Sequence, residues 1–418
     1  MVTGDATVRD VPLIRRSGPG VRNIGRHVST VHLHPAEALR AAPPPPRQLR
    51  FERVAISCVF GDPSDPRTWS GAPYNLAAAL RRFGVEVETI HPAIGRARRL
   101  AYTARWLLDG YGRLSTTEQV LRAAPARDHN AIKVAEATAQ LGVRHVIHTG
   151  TLDLPAFDLL PDIQHYLYCD QSWNLSLRHR LDAAHYTSRA LAEYDRLERE
   201  SLASVAHVFT FSGRTRDDIV EHYGLPADRV TVVGSGMGGI APYFGPKDYA
   251  VPRLLFVAKH LFRAKGGPLL LRAFALARRS RPDLTLTIVG DPRSRAYVPR
   301  DPRIIFHAHV TWDALRRLYA DATLLTQPML NDPWGQVYLE ALASRTPVLG
   351  LNRNGLPEIV EGGQHGFLVD EATPEAVAAG ILTALSNPDR LKRMGESGQR
   401  HVMNDYSWDR VAERIACL

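Results

Sequence analysis

The chain has 418 residues, which is more than one ordinary hydrophobic core organises, and this length predicts two or three domains. Hydrophobic residues make up 44% of the chain and charged residues 23%, as in ordinary folded globular proteins. The 52 Lys and Arg residues exceed the 43 Asp and Glu residues, and the formal net charge of +9 favours anionic partners such as phosphates. Because the basic residues recur only in short groups, nucleic acid is not expected as a partner.

The cysteines and the apolar runs bear on the cellular compartment. Cys58, Cys169 and Cys417 are far apart and have neither the spacing of a disulfide framework nor that of metal ligands. No apolar run approaches the roughly 20 residues that span a bilayer. Arg15-Arg16 is followed by Ser17 and not by the apolar core of an export signal. We therefore expect a cytoplasmic protein, with peripheral contact to the anionic inner face of a membrane left open.

The first 240 residues divide into an extension and an α/β domain. Residues 1–50 lack sustained periodicity and include four consecutive prolines, so they are interpreted as an N-terminal extension that is expected to be flexible. Residues 51–240 alternate between strands and helices, which predicts a parallel sheet covered on both faces. The predicted strands cover 53–60, 85–90, 145–148, 208–211 and 229–233, and the predicted helices cover 73–83, 191–204 and 213–223.

The second half repeats this α/β pattern. Residues 241–252, rich in Gly, Pro and Tyr, are interpreted as a linker, and residues 253–400 as a second domain. Its predicted strands cover 254–258, 284–289, 304–306, 323–326 and 347–351, and its predicted helices cover 267–280, 312–319, a segment opening at Asp332, and 374–385. Residues 401–418 should form a helix that packs back on the first domain. Two such sheets create a cleft at the carboxyl ends of their strands, where ligands of open α/β sheets bind.

The segment from Asp332 to Glu340 places two carboxylates around a glycine at a loop-to-helix transition. Asp332 followed by Pro333 predicts a helix N-cap and first helical residue, and a helix N-terminus attracts phosphate. Gly335 allows a ligand close to the backbone, and the Glu340 carboxylate can accept hydrogen bonds from sugar hydroxyls. Taken alone, the segment is more typical of a capped helix with one solvated glutamate.

A second candidate site is the loop between residues 258 and 267. Lys259, Arg263 and Lys265 precede Gly266 and a helix, and this combination of cations and free backbone N–H groups favours a diphosphate. In the first domain, Gly71 lies in a turn before a helix and can meet the same ligand from the opposite wall, although a plain surface turn fits equally well.

Two further patterns argue against other ligands. No Asp-x-Asp pair occurs in the chain, so we expect binding of a diphosphate without a metal ion. The glycine pattern at 234–239 matches a dinucleotide fingerprint by letter, but Pro242, Gly245 and Pro246 forbid the helix that this fingerprint requires. We interpret it as a glycine-lined loop at the rim of the cleft.

From about residue 52 onwards, the chain resembles the retaining GT-B glycosyltransferases of family 4, the glycosyl transferases group 1. The resemblance is carried by Lys265-Gly266-Gly267, residues 328–340, residues 341–348, residues 355–360, residues 68–73 and residues 406–408. It implies that Glu340 binds the nucleotide ribose, that Lys265 neutralises the donor diphosphate together with Lys259 or Arg263, and that Asp332 is the first acid of the E-x7-E motif. The usual second histidine of the first domain is replaced, since the chain reads His148-Thr149-Gly150.

This resemblance implies the transfer of a sugar from a nucleoside diphosphate sugar to a hydroxyl acceptor, with no cofactor and no metal. The acceptor is a glycan, a lipid-linked molecule or a small molecule. Two alternatives share the fold: a non-catalytic protein that binds nucleotide sugars or glycans, and a nucleotide-sugar epimerase. An NAD-dependent oxidoreductase is excluded because no helix can follow Gly239.

Overall fold

The structure is a computed structural model, and it describes residues 49–112, 117–154, 162–179 and 186–417. The predicted N-terminal extension therefore lies, except for its last two residues, outside the described part of the chain.

The first half of the chain forms a six-stranded sheet in which all neighbouring strands are parallel. The strands are β1 (Arg53–Ser57), β2 (Glu86–Ile90), β3 (His145–His148), β4 (Gln164–Cys169), β5 (His207–Thr210) and β6 (Val230–Val232). Their spatial order is β2-β1-β3-β4-β5-β6. The central strands β3, β4 and β5 are buried along nearly their whole length, as expected for a parallel sheet with both faces covered.

Seven helices cover this sheet in the described part of the first half. They are α1 (Ala72–Arg82), α2 (Arg96–Leu108), α3 (Thr117–Arg122), α4 (Ala124–Leu141), α5 (Trp173–His179), α6 (Ser188–Ser204) and α7 (Gly213–Glu221). Two of these helices, α6 and α7, are predicted from the sequence, and each has a side-chain cap at its N-terminus. The hydroxyl of Thr187 accepts a hydrogen bond from the backbone of α6, and the hydroxyl of Ser212 accepts one from that of α7.

The second half forms another six-stranded parallel sheet, in the order β12-β11-β10-β7-β8-β9. Its strands are β7 (Arg253–Ala258), β8 (Thr285–Gly290), β9 (Ile304–Ala308), β10 (Leu324–Thr326), β11 (Val348–Leu351) and β12 (Gly366–Val369). Its helices are α8 (Gly267–Ala277), α9 (Trp312–Asp321), α10 (Gln336–Ala343), α11 (Leu356–Ile359), α12 (Pro374–Leu385), α13 (Pro388–Asp405) and α14 (Trp408–Ala416). Residues 233–252, all of them described, contain no helix or strand, in agreement with a linker. The predicted domain limits themselves stay predictions.

The last helix, α14, returns to the first half of the chain, as predicted. Its Asp409 pairs with Arg82 of α1 at 2.5 Å, and Cys417 forms an antiparallel bridge with Leu49. Trp408 and Ile415 of α14 are buried in a hydrophobic core that residues of both sheets share. The end of the chain therefore ties the two sheets together.

An aromatic contact also joins the two halves. Phe211, which follows β5, meets Trp334 of the second half edge to face, with ring centroids 6.0 Å apart. Trp69 packs on Phe211 from the first half at 5.5 Å, and Tyr406 packs on Trp334 at 5.6 Å.

Among the described residues, the structure contains no helix that combines the length and the apolar character needed to cross a bilayer.

Candidate functional site at the carboxyl ends of the strands

Two loops of the second half meet because the strands that precede them are neighbours. β7 and β10 are paired in parallel, so the loops that follow Ala258 and Thr326 leave the same edge of the sheet. The carbonyl of Ala264 in the first loop accepts hydrogen bonds from the backbone N–H groups of Leu330 and Asn331 in the second, each at 2.9 Å. The lysine-glycine segment and the acidic segment predicted from the sequence are thus adjacent.

This contact brings two predicted site residues together. Lys265 Nζ lies 3.2 Å from Asp332 Oδ2, and both side chains are about four-fifths buried, with exposures of 18% and 21%. Gly266 makes the close approach sterically feasible: its φ is +85°, and a Cβ atom there would lie 1.9 Å from the carbonyl oxygen of Pro328. The sequence therefore positions a partly desolvated ion pair at the edge of the sheet.

Glu340 lies in the middle of α10 and is nearly fully buried, with 6% exposure. One carboxylate oxygen, Oε2, accepts a hydrogen bond from the hydroxyl of Tyr319 at 2.7 Å. Burial raises the pKa of Glu340 to about 7, against the opposing effects of the Tyr319 hydrogen bond and of the nearby charges of Lys265 and Lys259. A buried carboxylate with one oxygen engaged and two cations near it is suited to accept hydrogen bonds from ligand hydroxyls.

The linker lies directly on Glu340. A Cβ atom at Gly238 would be 2.0 Å from Glu340 Oε1, so a side chain at this position would require the Glu340 carboxylate to move. Gln336, at the start of α10, donates to the carbonyl of Gly236 at 3.2 Å. The glycine-rich segment 234–239 is thus a loop against the second half of the chain, as the sequence predicts, and no helix follows it in this described region.

The prediction for the start of α10 is wrong by three residues. Asp332 is not an N-cap and Pro333 is not helical, because α10 begins at Gln336 with Gly335 as N-cap. The Asp332 side chain instead accepts a hydrogen bond from the backbone of Trp334 at 3.3 Å, forming a local turn that competes with the helix. Gly335 has φ +80°, and a side chain there would meet the Tyr338 ring at 2.7 Å, so local geometry explains this glycine without a ligand.

The first-half turn before α1 has an unusual backbone. Trp69, Ser70 and Gly71 all have positive φ values, of 42°, 59° and 82°. Left-handed conformations are costly for residues other than glycine and are concentrated at functional sites. The hydrogen bonds from Arg67 lower the pKa of Asp65, which precedes this turn, to about 2, and the charge of Lys259 adds to this effect.

The remaining predicted cation, Arg263, is exposed in the same loop. Its backbone carbonyl accepts a hydrogen bond from Gly266 at 3.1 Å, but the described contacts do not connect its guanidinium with Lys265 or Asp332. The charge of Lys259 is one of the effects that oppose the raised pKa of Glu340, after the Tyr319 hydrogen bond and Lys265. The choice between Lys259 and Arg263 as the partner of Lys265 stays a prediction.

His148, at the end of β3, is fully buried and does not line the cleft. Its ring lies 3.2 Å from the Asp153 carboxylate and 3.0 Å from the ring nitrogen of His165. Burial lowers the pKa of His165 to about 3, and His148 adds to this effect. The arrangement belongs to the interior of the first half of the chain.

Two acidic residues at the cleft were not assigned a role from the sequence. Asp170 follows β4, and burial raises its pKa to about 7, with a further contribution from the charge of Asp332 in the other half of the chain. Glu358 accepts hydrogen bonds from the backbone N–H groups of Gly213 at 2.8 Å and Arg214 at 3.2 Å, at the N-terminus of α7. The sequence could have identified Asp170 as a candidate site residue, because it is an acidic residue directly after a buried strand.

The comparisons with known proteins agree with this geometry. Residues 248–401 match the family model Glycosyl transferases group 1. This group 1 segment contains Lys265, Asp332 and Glu340, and the match confirms the predicted resemblance to the glycosyl transferases group 1 for this part of the chain. The D-inositol 3-phosphate glycosyltransferase of Corynebacterium efficiens is 30% identical over 227 residues, covering 48% of this chain and 53% of that protein. The glycogen synthase of Mycobacterium tuberculosis is 27% identical over 217 residues, covering 50% and 52%. The chain thus spans about half the length of the curated relatives it matches.

Solved structures resemble the chain over more of its length. Sucrose-phosphate synthase from Thermosynechococcus elongatus aligns with a TM-score of 0.67 and 18% identity, covering 86% of this chain and 96% of that one. Anabaena Alr3699/HepE in complex with UDP and glucose aligns with a TM-score of 0.59 and 15% identity, covering 87% and 98%. These structural likenesses cover most of the chain, including the group 1 segment. They confirm the predicted fold, two Rossmann-like domains of the GT-B type.

Proposed function

We propose that the protein is a retaining glycosyltransferase of family 4, which moves a sugar from a nucleoside diphosphate sugar to a hydroxyl group of an acceptor. The observation that carries the proposal is the convergence of Lys265, Asp332 and Glu340 at the edge of the second sheet. These residues supply a cation for a diphosphate and two carboxylates for hydroxyl groups. The group 1 match and the curated glycosyltransferase relatives support it.

Each residue has a role in this proposal. Glu340 accepts hydrogen bonds from the ribose through Oε1, because Oε2 is engaged by Tyr319. Lys265, with Lys259, binds the diphosphate, and its ion pair with Asp332 holds its ammonium group ready in the cleft. Asp332 accepts hydrogen bonds from the transferred sugar, and Gly71 lets the first-half turn approach the donor. The donor needs neither a cofactor nor a metal ion.

The chemical step requires stabilisation of the leaving group. The bond between the anomeric carbon and the diphosphate oxygen breaks, and the acceptor oxygen attacks the same face of the sugar. The acceptor proton passes to the departing phosphate oxygen. Negative charge grows on the diphosphate during this step, and Lys265 lies where it can neutralise that charge in a partly desolvated site. Neither a covalent nucleophile nor a catalytic histidine is part of this mechanism.

The test begins with the nucleotide. We expect one of UDP, GDP, ADP and dTDP to raise the thermal midpoint clearly above the others, and UDP is the first candidate because a structural neighbour is described in complex with it. A ligand at about 100 times its dissociation constant adds about 2.7 kcal/mol of stability. Failure of all four nucleotides to stabilise the protein would refute the proposal.

The variant Lys265→Ala then tests the chemistry. We expect it to lower the rate of donor cleavage by about 10²-fold, as for the loss of one group that stabilises transition-state charge. The matched control is Lys392→Ala, which removes an exposed lysine of α13 in the same half of the chain. Unchanged cleavage in Lys265→Ala would contradict the assignment. Binding without cleavage in the wild type would identify the non-catalytic alternative, and conversion of the donor into an isomer would identify the epimerase.

A further inference from the structure

Two imidazoles and a carboxylate come together outside the donor site. Glu361 lies in a short 3-10 helix (Glu361–Gly363), His365 directly precedes β12, and His401 lies on α13. His365 Nε2 is 3.0 Å from Glu361 Oε2, and His401 Nδ1 is 3.6 Å from Glu361 Oε1. One ligand atom from each residue lies within 4.8 Å of the other two. The three side chains therefore surround a common point.

The surroundings of His365 leave one ring nitrogen available to a metal ion in one of its two neutral tautomers. The hydroxyl of Ser397 lies 3.1 Å from His365 Nδ1 and 3.1 Å from the carbonyl oxygen of Met394. When this hydroxyl donates to the carbonyl and accepts from Nδ1, the lone pair of Nε2 faces the Glu361 carboxylate at 3.0 Å. In that tautomer a metal ion between the two groups removes the repulsion of their lone pairs.

The surroundings favour a metal ion over an additional proton. His365 is buried, and the ring of His401 is stacked on it with centroids 4.7 Å apart, so a positive charge on either imidazole is poorly solvated and repels one on the other. The side chain of His401 is only 10% exposed. Its Nε2 atom is buried and has no hydrogen-bond partner within the described residues, whereas Nδ1 is the nitrogen that faces the Glu361 carboxylate.

We propose that Glu361, His365 and His401 bind one divalent transition-metal ion of the Zn²⁺ type. Imidazole and carboxylate ligands suit Zn²⁺, whereas Mg²⁺ and Ca²⁺ prefer sites made entirely of oxygen atoms. Zinc–nitrogen and zinc–oxygen bonds of about 2.1 Å place tetrahedral ligands about 3.4 Å apart, and the Glu361 carboxylate lies 3.0 Å from His365 Nε2 through one oxygen and 3.6 Å from His401 Nδ1 through the other. The carboxylate of Asp405, 3.2 Å from His401 Nδ1, adds negative charge beside the site.

The ion has a structural role. It connects the segment that follows α11 with helix α13. The centroid of the His401 ring lies 5.4 Å from that of the Tyr406 ring. The carbonyl of Tyr406 accepts a hydrogen bond from Met237 of the linker at 2.9 Å. An ion at this site therefore stabilises the contact between α13 and the linker. It does not touch the donor, so its binding is independent of the proposed transferase activity.

The test uses untagged, chelator-treated protein without nucleotide. Calorimetric titration with ZnCl₂ should give one equivalent per chain and a higher thermal midpoint, and Co²⁺ should give the visible absorption of a tetrahedral centre. His401→Gln and Glu361→Gln should each weaken Zn²⁺ binding at least 10-fold. The matched control His222→Gln, which removes a histidine 3.5 Å from a single carboxylate, should leave binding unchanged.

Two results would overturn the proposal: the absence of saturable binding of one equivalent in the wild type, or equal binding in both variants. If a variant does not fold, the cobalt spectrum of the wild type decides, because an ion held only by water lacks the intense tetrahedral bands.

Discussion

The buried carboxylate of Glu340 makes the stability of the protein without ligand depend on pH. In the unfolded chain the group titrates near its ordinary pKa of 4.5, whereas in the folded protein burial raises the pKa to about 7. The folded state thus binds more protons than the unfolded state between these values, and stability falls as the pH rises from 4.5 to 7. At about 1.4 kcal/mol per pKa unit, the ionised carboxylate costs roughly 3 kcal/mol at pH 8.

Glu340→Gln removes this charge and keeps the shape of the side chain, and its amide oxygen can still accept from Tyr319. We expect the variant to exceed the wild type in stability by roughly 3 kcal/mol at pH 8 and by less than about 1 kcal/mol at pH 5. Urea denaturation at both pH values measures this, with the exposed Glu371→Gln as control. The same variant should lose most of the stabilisation by nucleotide, because an amide N–H₂ group replaces the free acceptor Oε1. A gain independent of pH, or a loss at pH 8, would refute the reasoning.

Two further predictions concern backbone contacts. Gly266→Ala should destabilise the protein by at least about 2 kcal/mol more than Gly142→Ala in urea denaturation; both glycines have positive φ, but only at Gly266 would a Cβ meet a backbone oxygen, whereas the space around Gly142 is open. Equal losses would show that the loop yields to the side chain. Glu358→Ala should cost about 1–3 kcal/mol, because two N–H groups of α7 lose their acceptor, and a change no larger than that of Glu371→Ala would contradict a role of this contact in joining the two halves.

The two-sheet architecture could be predicted because most of its strands are short apolar runs that alternate with helical segments. β7 is buried at five of its six residues and stands out as an uninterrupted apolar run. β4 was missed because it carries His165, whose imidazole is satisfied in the interior by His148. α13 was missed because Gly395 and Gly398 lower its helix propensity. Both glycines are needed for close packing, since a Cβ would approach Arg345 and Leu342 within 2.3 and 2.7 Å.

The site was predictable to the extent that it depends on strand ends. Lys265 and Asp332 are far apart in the chain, yet both follow strands of one parallel sheet, which is why their proximity could be expected. The hydrogen-bond partner of Glu340 could not be expected from the sequence. The Tyr319 hydroxyl that donates to it belongs to a different helix, α9, and the contact depends on how α9 lies relative to α10. The start of α10 was misplaced because the local turn at Asp332 outcompetes the helix.

The edge-to-face contact of Phe211 with Trp334 gives the molecule an intrinsic optical reporter. The indole of Trp334 is 96% buried between groups from both halves of the chain. Any rotation that separates the halves exposes it to water, and the emission of a tryptophan shifts to longer wavelength when its surroundings become polar. The chain has six tryptophans, so opening and closing of the cleft can be followed in real time by ultraviolet fluorescence in a variant that keeps Trp334 as its single tryptophan, without attached dyes.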